Sequence, residues 1–372
     1  MIRMEKIGAL SDEMIDIMIK KGAILNAQDK NKNPGSLDLT ISDEAYRVEG
    51  IFQPRIGEKI SELLKIIEHY PHDLLNLFEK DVSYLIRLKE KFLLPEDVYG
   101  YCNPKSSSGR NDVHVRVLAD GVPRYDALVP AGFAGNLWLA VRARSYPIKL
   151  FPGETLSQVR FFNQDTRFDE GELRVFLEQH KLLWHQDHLV DHREIKIRDN
   201  DGSLILTLDL SSQEIVGYEC LGTDRVFDFS RRDYQIEDFF KPLYRPKKHL
   251  YLRNGAFYIF STREAVRVPP DLACEMVPMD ERSGEFRSHY AGFIDPGWGY
   301  GKNGEGKGRP LTLELRPFEN LIVRDNQPIS KIRFERMIQP PKVLYDKKRD
   351  SHYLDQSGPR LSKQFKKDQK TR

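Results

Sequence analysis

GSLDLTISDEAYRVEG, starting at Gly35, and GSLILTLDLSSQEIVG, starting at Gly202, are two versions of one pattern. Each opens on Gly-Ser and then carries β-branched and apolar residues at the two-residue period of a strand with one buried face. The likeness continues downstream in the same order. YLIRLKEKFLLPEDVYGYCNP from Tyr84 matches YIFSTREAVRVPPDLACEMVP from Tyr258. PAGFAGNLWLAVRARSYPIKLFPGETLSQVRFF from Pro130 matches DPGWGYG from Asp295 followed by PLTLELRPFENLIVRDNQPISKIRFER from Pro310. One such match arises easily by chance; ordered matches in all the blocks predict an internal duplication.

The rest of the chain fits two β-rich modules. HVRVLA, LWLAVRA, REIKIR, HLYLR, AFYIF, LTLELR and KIRFERM are short, rich in β-branched and aromatic residues, and bounded by turn formers. Strands at this density predict barrels or sandwiches, with helices as additions. Helices are expected over Ser11–Lys21, with Ser11 as N-cap and Gly22 past the end, and over Glu170–Gln179 and Ile236–Phe240. A helical insertion is expected over Ile56–Lys80, broken near Pro71. The boundary between the modules falls near Gln179–Asp187, giving segments 1–180, 181–340 and a C-terminal 341–372.

The chain has 372 residues, 40% hydrophobic and 31% charged, which is globular composition with length for a core in each module. Its formal net charge of +2 argues against a nucleic-acid-gripping surface while allowing a local anion pocket. Cys102, Cys220 and Cys274 are isolated, so neither a disulfide framework nor a C-x-x-C zinc site is expected. The absence of an apolar leader and of a run of about 18 apolar residues predicts a cytoplasmic protein with no membrane span.

Two clusters carry chemistry. Lys105-Ser106-Ser107-Ser108-Gly109-Arg110 sets hydroxyls and a glycine between two cations, the donor set that phosphate oxygens need. Copy two has Met279-Asp280-Glu281-Arg282 there, without a hydroxyl. The second cluster is Ile294-Asp295-Pro296-Gly297-Trp298, a tight hairpin, followed by a strand on which Thr312 and Glu314 share a face. Copy one has Pro130 and Ala140 at the matching positions. The Gly301–Gly308 stretch nearly spells a P-loop, but a strand pattern follows where a helix is required. His192-Arg193-Glu194 has the H-x-E of zinc deaminases without the partner cysteines.

These residues resemble the dCTP deaminase and dUTPase superfamily, specifically its dCTP deaminase branch in a tandem-duplicated form. The resemblance implies a mainly β fold of two dUTPase-like distorted β-barrels (β-clip domains). The family's R-S-S-L-A-R motif falls on Lys105 to Arg110, with Lys105 replacing the leading Arg and Gly109 replacing the Ala. Its first-motif Asp falls on Asp38, and its P-G-x-x-x-x-Q strand on Pro152, Gly153 and Gln158. The I-D-P-G-W hairpin matches Ile294 to Trp298, and the catalytic Glu falls on Glu314. A C-terminal lid resembles Tyr345, His352, Tyr353 and Gln356.

The resemblance further implies deamination of dCTP to dUTP without zinc, on the route to dUMP and dTTP. Glu314 would shuttle protons, with Ser106 and Arg110 orienting it and the water. Lys105, Ser107 and Gln158 would hold the triphosphate and its bound Mg²⁺. The stretch His289 to Phe293, including Ala291 and Gly292, would read the base; Asp295 and Trp298 would flank the sugar. Feedback by dTTP and homo-oligomerisation are open under this resemblance. So are a dUTPase, a bifunctional deaminase and dUTPase, and a non-catalytic nucleotide sensor.

Overall fold

A computed structural model describes residues 6–288, 290–348 and 353–366. The first helix, α1 (Asp12–Lys20), buries Met14, Ile15 and Met18. Ser11 precedes it, but its hydroxyl makes no capping bond. The strands of copy one are β1 (Ser36–Val48), β2 (His69–Pro71), β3 (Ser83–Leu93), β4 (Tyr99–Pro104), β5 (Val113–Ala119), β6 (Ala127–Leu128), β7 (Ala134–Ala143) and β8 (Thr155–Phe162). They form one antiparallel sheet in the order β5-β7-β3-β1-β8-β4-β6, with β2 also on β1. Helix α2 (Glu170–Gln179) follows, closed by a capping box between Asp169 and Glu172.

Copy two repeats the pairing. Its strands are β9 (Ser203–Thr207), β10 (Ile215–Cys220), β11 (Phe240–Tyr244), β12 (Tyr258–Val266), β13 (Leu272–Val277), β14 (Phe293–Ile294), β15 (Arg309–Pro317) and β16 (Pro328–Arg336). As β3 lies between β1 and β7, β12 lies between β10 and β15. As β8 joins β1 to β4, β16 joins β9 to β13. The single long β1 of copy one is two strands in copy two. Asp209 accepts bonds from the amides of Ser211 and Ser212, and this turn separates β9 from β10. The Gly35 and Gly202 stretches occupy these equivalent strands, so the duplication and the mainly β, two-barrel fold hold.

A glutamate recurs at the same irregularity in each copy, buried in the first and half-buried in the second. The β3–β7 register shifts between Arg87 and Lys91, and there Glu90 accepts a 2.9 Å bond from the Thr40 amide. The β12–β15 register shifts between Ser261 and Ala265, and there Glu264 accepts a 2.8 Å bond from the Thr207 amide. Each carboxylate satisfies a strand donor that the bulge leaves without a ladder partner.

Three expectations fail. Ile56–Lys80 is not helical beyond one turn, Ile60–Leu63. Ile60 and Leu64 pack against Leu85, Leu118 and Trp138, while Ile66 and Leu75 are exposed, so no continuous apolar helix face exists. His69–Pro71 is drawn onto β1 instead. This arm belongs to the repeated module, because β11 sits on β10 as β2 sits on β1. REIKIR forms a short 3₁₀ turn, His192–Glu194, and then irregular chain. Ile236–Phe240 is likewise a 3₁₀ turn, Ile236–Asp238, leading into β11.

Candidate active site

The phosphate-type loop follows β4. A single helical turn, Ser106–Gly109, carries the hydroxyls, and the Lys105 amide donates to Leu156 O at 2.9 Å. Lys105 Nζ is ion-paired with Asp38 and donates to Thr155 Oγ1 at 2.8 Å. Asn33 holds the other Asp38 oxygen at 2.8 Å. Ser108 is structural, donating to Leu156 O at 2.9 Å. Ser107 is buried and its Oγ has no partner among the described residues. Gln158, on β8 opposite Asp38, accepts from Ser36 at 3.2 Å.

Copy two supplies the carboxylate. Glu314 sits mid-β15, opposite Ile259, and is 2% exposed. Its Oε2 accepts from the backbone amides of Tyr290 at 2.7 Å and Ala291 at 2.8 Å. Burial pushes its pKa up to about 7, opposed by the Ala291 amide, the Arg110 charge and the Tyr290 amide. The copies meet directly on this group. A methyl on Gly109 would stand 2.3 Å from Glu314 Oε2, so the loop of copy one lies flat against the carboxylate of copy two. Beside it, the Gly292 amide donates to Asn103 Oδ1 at 2.5 Å, again across the copies.

The hairpin is the predicted one. Trp298 N closes the turn onto Asp295 O at 3.1 Å, and Gly297 has φ +93°. A side chain there would meet Leu344 and Tyr345. Tyr345 donates its amide to Pro296 O at 2.9 Å and packs its ring 5.1 Å from Trp298. Asp295 is half-buried, and desolvation pushes its pKa up against the nearby Arg160 and Lys348 charges.

Arg110 was expected to orient Glu314, yet its hydrogen bonds go to the C-terminal segment. It donates to Arg360 O at 3.0 Å and Gln356 Oε1 at 3.2 Å, beneath the Tyr353 ring at 3.9 Å. It acts on Glu314 by charge alone. Ser106 lines the cavity and makes no hydrogen bond to Glu314. His289 and His352 lie outside the described residues.

A cavity of about 370 Å³ opens between the copies, lined by Lys105, Ser107 and Gln158 from one and Ala291, Asp295 and Thr312 from the other. Lys30, Lys348 and Lys363 add cations that no sequence pattern marked. Lys363 lies in the basic stretch from Arg360, a composition that by itself reads as a solvated terminus. Instead Leu361 and Phe365 are buried, with Phe365 among Phe227, Tyr234, Phe239 and Phe240. Leu361, Gln364 and Phe365 are lost among the lysines when read by composition alone. Arg160 was also missed. Fully buried on β8, it donates 2.9 Å bonds to Cys274 O and Ile294 O and reaches Asp295 at 3.4 Å, pinning the hairpin from below.

The decoys resolve physically. The Gly301–Gly308 stretch is a loop held by Arg267, which donates to Gly304 O and Gly306 O at 3.0 Å each, and β15 follows it. His192 is bonded to Glu170 at 2.8 Å, and Glu194 to His188 at 2.9 Å. Among the described residues no three His, Cys, Asp or Glu side chains converge on one point. Cys102, Cys220 and Cys274 are free and buried.

A buried carboxylate under the phosphate loop of a twin β-barrel defines the class, the dCTP deaminase and dUTPase superfamily. Comparison with known proteins narrows it. Residues 6–165 match the N-terminal domain model of 2'-deoxycytidine 5'-triphosphate deaminase (DCD), and residues 177–365 match its C-terminal domain model. The chain belongs to the DCD family. A crystal structure of 2'-deoxycytidine 5'-triphosphate deaminase from Agrobacterium tumefaciens is 31% identical, with a TM-score of 0.80 over 90% of this chain and 99% of that one. Curated relatives described as "dCTP deaminase, dUMP-forming" are 32% identical over 120 residues (Dictyoglomus turgidum) and 33% over 116 residues (Halobacterium salinarum). These matches cover 31% and 30% of this chain and only 57% and 55% of the relatives' length.

Proposed function

We propose that the chain hydrolyses dCTP to dUTP and ammonia, with Glu314 as the proton shuttle. The observation that carries this reading is the Glu314 carboxylate, buried, with a pKa near 7, held by two backbone amides beside a cationic cavity. A group that takes and returns protons near neutral pH needs such a value. Glu314 takes a proton from water as its oxygen attacks C4 of cytosine. That proton moves to N3; the new C4 hydroxyl then gives up its own proton, which Glu314 passes to the amine, so that the C–N bond breaks, ammonia leaves and C4 becomes a carbonyl. Ala291 and Gly292 present backbone groups to the base, while Asp295 and Trp298 flank the deoxyribose. Lys105, Ser107 and Gln158 hold the triphosphate, which arrives with its Mg²⁺; Asp38 positions Lys105. Arg110 draws Tyr353 and Gln356 over the site, and Tyr345 steadies the hairpin. No zinc is needed at the base in this scheme. The reading includes division of the chain near residue 180, with 341–372 as the lid.

A second reading continues to dUMP. It is favoured by the dUMP-forming activity named for the curated relatives and by the half-buried Asp295, whose carboxylate would activate water against the α-phosphate. Purified protein incubated with dCTP and Mg²⁺, with ammonia, dUTP, dUMP and pyrophosphate resolved together, separates the two. Ammonia with dUTP supports the first; ammonia with dUMP and pyrophosphate supports the second. Nucleotide binding without either product would leave a sensor.

A further inference from the structure

A larger cavity, about 710 Å³, lies close to the Glu314 site; Met276 and Phe293 stand between the two and line both, and its other walls are different side chains. Tyr290 lines it while the next residue, Ala291, lines the smaller one. Copy one contributes Tyr99, Tyr101 and Arg124; copy two contributes Arg287, Ser288 and Arg333. Three buried polar atoms of its lining residues have no hydrogen-bond partner among the described residues: Ser288 Oγ, Arg333 Nε and Glu335 Oε2. Ser288 is only 3% exposed. Buried polar atoms are ordinarily paired, and these three belong to residues of one cavity wall, where an occupant with donors and acceptors would pair them after a small side-chain shift.

The walls say what kind of molecule. Tyr99 stacks on Phe162 with centroids 5.6 Å apart, and Tyr101 packs edge-on to Tyr99 at 5.6 Å. Such rings offer flat faces to a heteroaromatic group. Three of the arginines are already neutralised: Arg116 by Asp126 at 3.0 Å, Arg167 by Asp165, and Arg333 by Asp201 at 3.0 Å. Arg124 makes no ion pair among the described residues and lies 5.6 Å over the Tyr101 ring. Glu275 and Glu335 are pushed up by burial, Glu335 to about 8, so this pair carries less than its formal charge at neutral pH. The balance near Arg124 is positive, and the volume lies within the range of small-molecule sites.

We propose that this cavity is a second ligand site, distinct from the Glu314 site, for an aromatic anion of nucleotide size. Its occupant would bear on the catalytic group through one short segment. Ser288 O accepts from the Glu314 amide at 3.3 Å, and Tyr290 N holds the Glu314 carboxylate at 2.7 Å. A ligand that shifts Arg287 and Ser288 therefore shifts the donors of the carboxylate.

The test is calorimetric. ATP, GTP and dTTP are titrated separately into Glu314→Gln protein holding saturating dCTP and Mg²⁺. At least one of them gives a further binding event, weakened about tenfold or more by Arg124→Ala and by Tyr101→Leu, as expected for loss of a charge or stacking contact. Neither substitution changes the dCTP titration. Arg124 is exposed, so its variant tests the site without risk to the fold. If dCTP itself does not bind, the reading of the first site fails, and the same nucleotides titrated into wild-type and Arg124→Ala protein still read the second. No heat from any of the three, or binding indifferent to both substitutions, overturns the proposal.

Discussion

Glu314 is held by three effects of different sign. Burial disfavours its charge, whereas two amides and Arg110 favour it, leaving a value about 7. A base must be ionised to accept a proton, so kcat/KM is expected to climb about tenfold per pH unit below 7 and to level above it. A pH profile of the wild-type enzyme checks this. Glu314→Gln should lose about 10²–10⁴-fold in kcat while retaining nucleotide binding; full turnover in that variant would sink the assignment. Gly109 offers a sharper check of geometry. Its missing side chain is the space that the Glu314 carboxylate occupies, with Oε2 2.3 Å from where a methyl would be. Gly109→Ala is expected to push the carboxylate off the Tyr290 and Ala291 amides. Those bonds lower its pKa, so losing them should move the acid limb above 7 and reduce kcat, with KM changed less. An unmoved limb would mean the carboxylate does not rely on these donors. Glu314, Asp38 and Gln158 were legible because motif positions mark them. Arg160 and Lys363 were not, because a buried arginine within an apolar strand and a lysine in a basic run have no local pattern that reveals their partners.

The strands were legible where one face is buried and the period of two survives. The arm at 49–82 was not, because its leucines and isoleucines mimic a helix face while the β1 edge offers backbone partners to His69–Pro71. Tertiary pairing wins such contests routinely. Nor does sequence show the bulge glutamates, since Glu90 and Glu264 look like solvated positions on alternating strands. Glu90 is 1% exposed, with a pKa raised to about 7, chiefly by burial. The native state therefore binds a proton more tightly than the unfolded chain. Its contribution is complete below about 4.5, the unfolded value, and is lost as pH rises through 7. The loss amounts to about 3 kcal/mol at most by the size of that shift. Glu90→Gln cannot ionise, so the wild-type protein should lose stability relative to this variant between pH 4.5 and 7.5. Urea denaturation of both proteins across that window measures the difference, and parallel curves would show that Glu90 is solvated when charged.

Under the proposed function, the complementary losses in the two copies place both copies at one centre. Copy one lacks the carboxylate and copy two lacks the hydroxyl loop, and the structure brings Gly109 and Glu314 into contact within one chain. Other bonds bind the copies together. Arg316 of copy two is ion-paired with the fully buried Asp112 of copy one and also donates to the Tyr290 hydroxyl at 3.1 Å. The core around β1 likewise takes in Phe257 and Ile259 from copy two. Removing one partner, as in Arg316→Ala, would leave Asp112 unpaired in that interior and cost several kcal/mol, on the order of 3–5. The sequence could display the division of labour but not where the halves meet, because contact between residues about two hundred positions apart leaves no periodic trace. A mixing experiment reads it directly. Arg110→Ala and Glu314→Ala proteins, each with its defect in a different copy, are combined in equal amounts and assayed for ammonia release from dCTP. With each site built inside one chain, every site in the mixture carries one defect, and turnover should stay at the sum of the separate variants. Recovery toward a quarter or more of wild-type activity would require sites assembled from two chains, with the intact loop of one laid against the intact carboxylate of the other.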